Sequence, residues 1–173
     1  MSISPRLPAA LLACLLLAAC GATAPPAPPP APGLSPQQRL AAVHAAAGVD
    51  DTELDVQPLR DSQIEDLRAR AAAALAAGQA EAAADALNQA LLVVPDDPAV
   101  LQERAEVALL QAQYDRAETL ARRAYDLGSR VGPLCRRHWA TIVQSRLARG
   151  QDQDVASAQA QLATCTVPGV PRF

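Results

Sequence analysis

The sequence predicts an all-α domain of short helices packed as successive hairpins, and three observations predict it. First, half of the 173 residues are hydrophobic, yet only 2% are aromatic, and alanine supplies much of the apolar content. A core of that composition forms by close approach of small side chains, and alanine is the strongest helix former. Second, from Ser62 to about Thr164 the apolar positions keep helical spacing, broken only by turn signals. Third, the chain resembles itself at a shift of 34 residues: Leu67 falls on Leu101, Ala71 on Ala105, Ala74 on Ala108, Leu75 on Leu109, Ala83 on Ala117 and Ala90 on Ala124. A repeat of roughly that length holds one helix–turn–helix unit.

The N-terminus reads as an address. Residues 1–6 carry one positive charge, Arg6, and Leu7 to Ala19 is an apolar run. That run is shorter than the roughly 20 apolar residues a membrane-spanning helix needs, and it fits the apolar region of a secretory signal peptide. It ends in Leu17-Ala18-Ala19-Cys20, which resembles the bacterial lipobox. The resemblance implies that residues 1–19 are removed and that the Cys20 thiol takes a diacylglycerol. The small side chains of Ala18 and Ala19 would suit the cutting peptidase. Two or more acyl chains give a stable anchor where one does not. Gly21 stands where lipoproteins kept in the inner membrane commonly carry Asp, so the expected place is the outer membrane, lipid-anchored and facing the periplasm.

Residues 20–35 then read as a tether. Pro25, Pro26, Pro28, Pro29, Pro30 and Pro32 cannot build a core and favour an extended chain of about 3.1 Å per residue. Residues 36–60 read as an N-terminal helix and a loop. Ser35-Pro36 supplies an N-cap and first helical position, and Gly48 stops the helix after Ala47. Its apolar face is Leu40, Val43 and Ala47. Val49 to Arg60, with Asp50, Asp51 and Pro58, reads as loop. Residues 61–165 form the helical domain, opened by a capping box over Ser62-Gln63-Ile64-Glu65. Residues 166–173 are a tail.

Within 61–165 the residues resemble the tetratricopeptide repeat. Small residues recur where two helices would cross: Ala71, Ala83 and Ala90 in one unit, Ala105, Ala117 and Ala124 in the next. Gly78 sits in the first turn; Ala112-Gln113-Tyr114 occupies the second. Pro95 ends the first unit, and Asp97-Pro98 caps and starts the next helix. The second unit departs from the pattern at its end, with Ser129 in place of Pro. A third pair, Pro133 to Arg149 and Gln151 to Thr164 around Gly150, matches only after a four-residue insertion near Gly128 to Pro133, as a degenerate terminal repeat. The resemblance implies a helical hairpin solenoid of about three repeats that binds protein. Its concave face would present Glu65, Arg68, Ala72 and Leu75 from the first unit. The second unit would add Gln102, Glu103, Glu106, Leu109 and Leu110. Such a face suits a peptide or helix. The alternative is that the leucines are covered by the N-terminal helix or the next repeat.

Chemistry-bearing motifs are scarce. His44 and His138 have no triad partner at a recognisable spacing, and neither a phosphate loop nor a paired-cysteine zinc pattern appears. Cys135, His138 and Cys165 make a conceivable but disfavoured metal set. No enzyme activity and no cofactor beyond the covalent lipid on Cys20 is expected. Tyr114, Tyr125 and Trp139 read as core residues. All 15 basic residues are arginines, scattered over a chain of net charge −3, so nucleic acid is not an expected partner.

Cleavage would remove Cys14, and acylation would consume Cys20. Two thiols then remain in an oxidising compartment, where pairing is expected. Cys135 and Cys165 lie equally far before and after Gly150, so an antiparallel hairpin brings them together. The functional expectation is an outer-membrane-anchored periplasmic adaptor or assembly factor. It resembles the tetratricopeptide lipoproteins that help assemble pilus secretins or organise envelope hydrolases. The alternative is a structural subunit of an outer-membrane, secretion or pilus complex without a peptide groove.

Overall fold

The structure, a computed structural model, describes residues 33–48 and 61–166. The signal peptide, Cys20, most of the tether and the tail after Thr166 lie outside those residues. The described residues form seven helices and no strand: α1 (Pro36–Ala47), α2 (Ser62–Ala76), α3 (Ala80–Val93), α4 (Pro98–Leu110), α5 (Tyr114–Leu127), α6 (Gly132–Ala148) and α7 (Asp152–Thr164). The pairs α2–α3, α4–α5 and α6–α7 are hairpins, and each packs on the next through α3–α4 and α5–α6. An all-helical stack of three hairpins is thus the fold.

The helix ends follow from local chemistry. At α1 the Ser35 hydroxyl accepts the Gln38 N–H at 3.2 Å, and the Gln38 side chain accepts the Ser35 N–H at 2.8 Å. This reciprocal box satisfies two backbone donors that a helix start leaves without partners. At α4 Asp97 accepts from Ala99 and Val100, with Pro98 in the first turn. The expected Ser62–Glu65 box at α2 is replaced. Asp61, one residue earlier, is extended and accepts the Gln63 N–H at 2.8 Å, while Glu65 pairs with Arg68.

The three hairpin turns share one backbone device. Gly78 and Gly150 have φ of +72° and +68°. Ala112 holds the corresponding place in the middle hairpin at φ +56° and is the one non-glycine among the described residues with positive φ. A left-handed residue with a Cβ costs roughly 1–2 kcal/mol.

Small side chains make the core. Ala83, Ala90, Ala105, Ala117, Ala121, Ala124 and Ala158 are wholly buried, and Ala71 nearly so. The positions read from the repeat as crossing points are therefore interior. At the open end of the α4–α5 hairpin Gly128 is tightly seated, where an added Cβ would stand 2.8 Å from the Ala124 carbonyl oxygen and 3.0 Å from Pro98 Cβ. The inserted stretch between α5 and α6 is thus seated against the start of α4. Trp139 is buried and meets Tyr125 edge-on, with ring centroids 4.9 Å apart. Cys135 and Cys165 form a disulfide with Cα atoms 5.6 Å apart, and the Gly132 N–H donates to the Cys165 carbonyl at 2.8 Å. The terminal hairpin is closed at its open end by both.

Candidate partner-binding face

The first helices of the hairpins, α2, α4 and α6, are joined by side chains on one face. Arg68 of α2 donates through Nε to Glu103 of α4 at 3.0 Å and through an NH group to Glu65 at 2.9 Å. Those bonds, the one to Glu103 above all, raise the Arg68 guanidinium further into its charged range, against the effect of its partial burial.

From α4 to α6 the links are buried. Gln102 donates to Glu106 and to the Thr141 hydroxyl, each at 2.8 Å, and its carbonyl lies 2.7 Å from His138 Nδ1. Arg137 grips Glu106 with two bonds of 2.8 and 2.7 Å. Burial would raise the Glu106 carboxyl, but the bonds from His44, Arg137 and Gln102 and the Arg137 charge outweigh it and hold the group at about 2. Burial, helped by the Arg137 charge and opposed by Glu106, lowers His138 to about 3, so it stays neutral.

α1 lies along this face, antiparallel to both α4 and α6. Its start meets late α6, where Arg39 donates to the Gln144 carbonyl at 3.3 Å and stands 5.9 Å from the Tyr114 ring centre. Its middle buries Val43 in a cluster with Ala108, Leu109, Ala117 and Ala140. His44 reaches Glu106 at 3.0 Å. Its last turn meets early α6, where Arg136 donates to the Ala47 carbonyl through Nε at 2.7 Å and NH2 at 2.5 Å.

This helix divides the residues expected to bind a partner. Glu65 is exposed, and Arg68, Leu75, Glu103 and Leu110 are half-buried, on the side that α1 leaves open. Gln102, Glu106 and Leu109 are not surface residues. Leu109 and Gln102 are fully buried and Glu106 is 6% exposed. They are enclosed because α1 and α6 converge on the part of α4 that carries them. The expectation of a groove open along its whole length is corrected to one half filled by the chain itself.

Sequence reasoning missed Arg136, Arg137, Thr141 and His44. One signal was present. Arg136 and Arg137 stand in the opening turns of α6, where the helix dipole disfavours cations. An arginine pair placed there calls for acceptors from another element, and Ala47 and Glu106 supply them.

A second surface feature is apolar. Leu92 is 84% exposed at the end of α3, with Val93 beside it, and Leu127 at the end of α5 and Val131 at the start of α6 are exposed. Arg123 of α5 bonds Asp96 of the α3–α4 loop at 2.7 Å, so the two ends adjoin. Among the described residues no helix is long and apolar enough to cross a membrane.

No family model matches the chain, and no curated protein matches it. Among solved structures it is similar to the globular C-terminal domain of P. aeruginosa LpoP. The two are 27% identical with a TM-score of 0.57, over 61% of this chain and 99% of that domain. The helical stack described above is therefore a fold that LpoP has as a globular domain.

Proposed function

We propose that this chain is a lipid-anchored adaptor of the bacterial envelope. Cys20 carries the lipid at the outer membrane, the Pro-rich tether spaces the domain from it, and the tetratricopeptide-like stack holds a periplasmic protein. The observation that carries this reading is the likeness to the LpoP domain over nearly all of that domain's length. The lipobox and the absence of catalytic motifs support it. The open half of the α2–α4 face, with Arg68, Leu75, Glu103 and Leu110, is the surface offered.

Photo-crosslinking in living cells from Leu75 and Leu110 tests the proposal. One envelope protein should be captured from both positions, with cell-wall enzymes and pilus secretins the first classes to examine. Failure of both positions while the protein is folded and localised would sink it. The anchor is tested separately. Cys20→Ser should lose all fatty-acid labelling, because a hydroxyl is a far weaker nucleophile than a thiolate in this transfer. Undiminished labelling would remove the lipobox reading.

A second reading, a structural subunit of an envelope complex, is favoured by the apolar edge of Leu92, Val93, Leu127 and Val131. In that case crosslinks arise from Leu92 and Leu127 and not from the face.

A further inference from the structure

α1 differs from the other six helices in how it is held. It packs on α6 and α4 instead of forming a hairpin with α2, the next helix in the chain. Only one large apolar side chain, Val43, is fully buried by it. The rest of the seam is polar: Arg39 to Gln144, His44 to Glu106, and Arg136 to the Ala47 carbonyl. At 12 residues, α1 is no longer than helices that are marginal in water without a surface to lie on.

The polar links between α4 and α6 beneath it do not depend on it. Glu106 keeps two bonds from Arg137 and one from Gln102 when His44 is taken away. Gln102 keeps Thr141 and His138. Removal of α1 therefore leaves no buried carboxylate without a donor, the circumstance that makes most broken polar seams costly. Arg136 gives up the Ala47 carbonyl.

Arg136 also fixes what the trough recognises. The last carbonyls of a helix have no partner within the helix and carry its negative pole. Arg136 takes such a carbonyl with a two-pronged bond. One turn earlier Val43 fills the hollow over Leu109 and Ala140, and Arg39, one turn before that, lies against Tyr114.

We propose that the trough between α4 and α6 is a helix-binding site, that α1 is its resident occupant, and that a partner helix replaces it. The partner helix has a small branched apolar residue at the place of Val43, an arginine four residues before it, and an end presented to Arg136. The inference rests on the adaptor reading and names the partner class it would take. Held on the same chain, α1 competes at high effective concentration, so the trough is closed until the partner is abundant or near.

The test uses the full mature chain in detergent and a labelled synthetic peptide of residues 35–48. Hydrogen exchange should show α1 amides opening at least tenfold faster than those of α4 and α6. The wild-type chain should bind the peptide weakly. Val43→Asp should release α1 and strengthen peptide binding at least tenfold, and adding Arg136→Gln should reverse that gain. Equal protection of α1 and α6 overturns the inference by itself, even where Val43→Asp fails to fold. A folded Val43→Asp chain that binds no more peptide than wild type also overturns it. The adaptor reading is judged apart, by the Leu75 and Leu110 crosslinks, which do not require α1 to move.

Discussion

The two halves of the α2–α4–α6 face use the same kinds of side chain to opposite effect. On the open half, Arg68, Glu65 and Glu103 form ion pairs with water on one side. On the covered half, Glu106, Arg137, Gln102 and His138 form pairs with α1 or α6 above them. Glu103 and Glu106 are three residues apart on α4, less than one helical turn. What separates them is the added layer. An exposed ion pair is worth roughly 0–1 kcal/mol, whereas removing one partner of a buried pair costs about 3–5 kcal/mol. Position in the stack, not residue type, decides which of these a glutamate contributes.

The sharpest way to break this comparison is to truncate both glutamates. Glu106→Ala should destabilise the domain by about 3–5 kcal/mol, because Arg137 is left without its carboxylate. Glu103→Ala, which breaks a half-buried pair, should cost less than that, though more than the roughly 0–1 kcal/mol of a fully exposed pair. Urea unfolding followed by circular dichroism measures both, and equal losses would erase the distinction.

The leucines make a second pair. Leu109→Asp places a carboxylate under Val43 and should cost the domain far more stability than a change on the open side, with α1 released as the cluster opens. Leu75→Asp, half-buried on the open side, should leave helicity intact and weaken partner capture. Equal losses from the two changes would show that α1 does not shield Leu109.

Acid separates the halves through His138 and Glu106, which face each other with Gln102 and Arg137 between α4 and α6. His138 titrates at 6.5 when unfolded and about 3 when folded, so below pH 6.5 the unfolded chain takes up the extra proton. Glu106 moves from 4.5 to about 2, with the same sign. Stability should therefore fall as pH drops from about 6 toward 3. The slope approaches about 1.4 kcal/mol per pH unit for each group within its own window. Urea midpoints that do not move between pH 7 and 4 would contradict the His138 assignment.

The smallest effect lies in the turns. Ala112→Gly should stabilise by about 0.5–1 kcal/mol, the left-handed cost relieved less the added entropy of glycine. The same exchange in reverse, Gly78→Ala, should destabilise by a similar amount, read as opposite shifts in melting temperature.

Much of this architecture was legible in the chain. The 34-residue self-similarity located Ala71, Ala83, Ala90, Ala105, Ala117 and Ala124, and all six are interior. Hairpin symmetry about Gly150 located the Cys135–Cys165 bond. Ser35, Pro36 and Gly48 marked both ends of α1. The site was less legible. Glu106 and Leu109 were read as groove residues because each repeat turns those positions toward the same face, and nothing within a repeat records what else lies there. Asp61 and Ser62 in succession both satisfy the requirement for the α2 cap, and only the backbone geometry chooses Asp61.

The sequence by itself determined the helices, their pairing into hairpins and the meeting of the two cysteines. These depend on periodicity, caps and turns within some 34 residues, the range over which local chemistry acts. Only the tertiary structure decided which half of the face meets water. That depends on α1 returning across the stack to lie between α4 and α6, and a short helix whose apolar face is only Leu40, Val43 and Ala47 does not declare its destination. The physical reason is that its hold comes from Arg136, Glu106 and Gln144, each on a helix remote in sequence, so that no spacing along the chain encodes the contact.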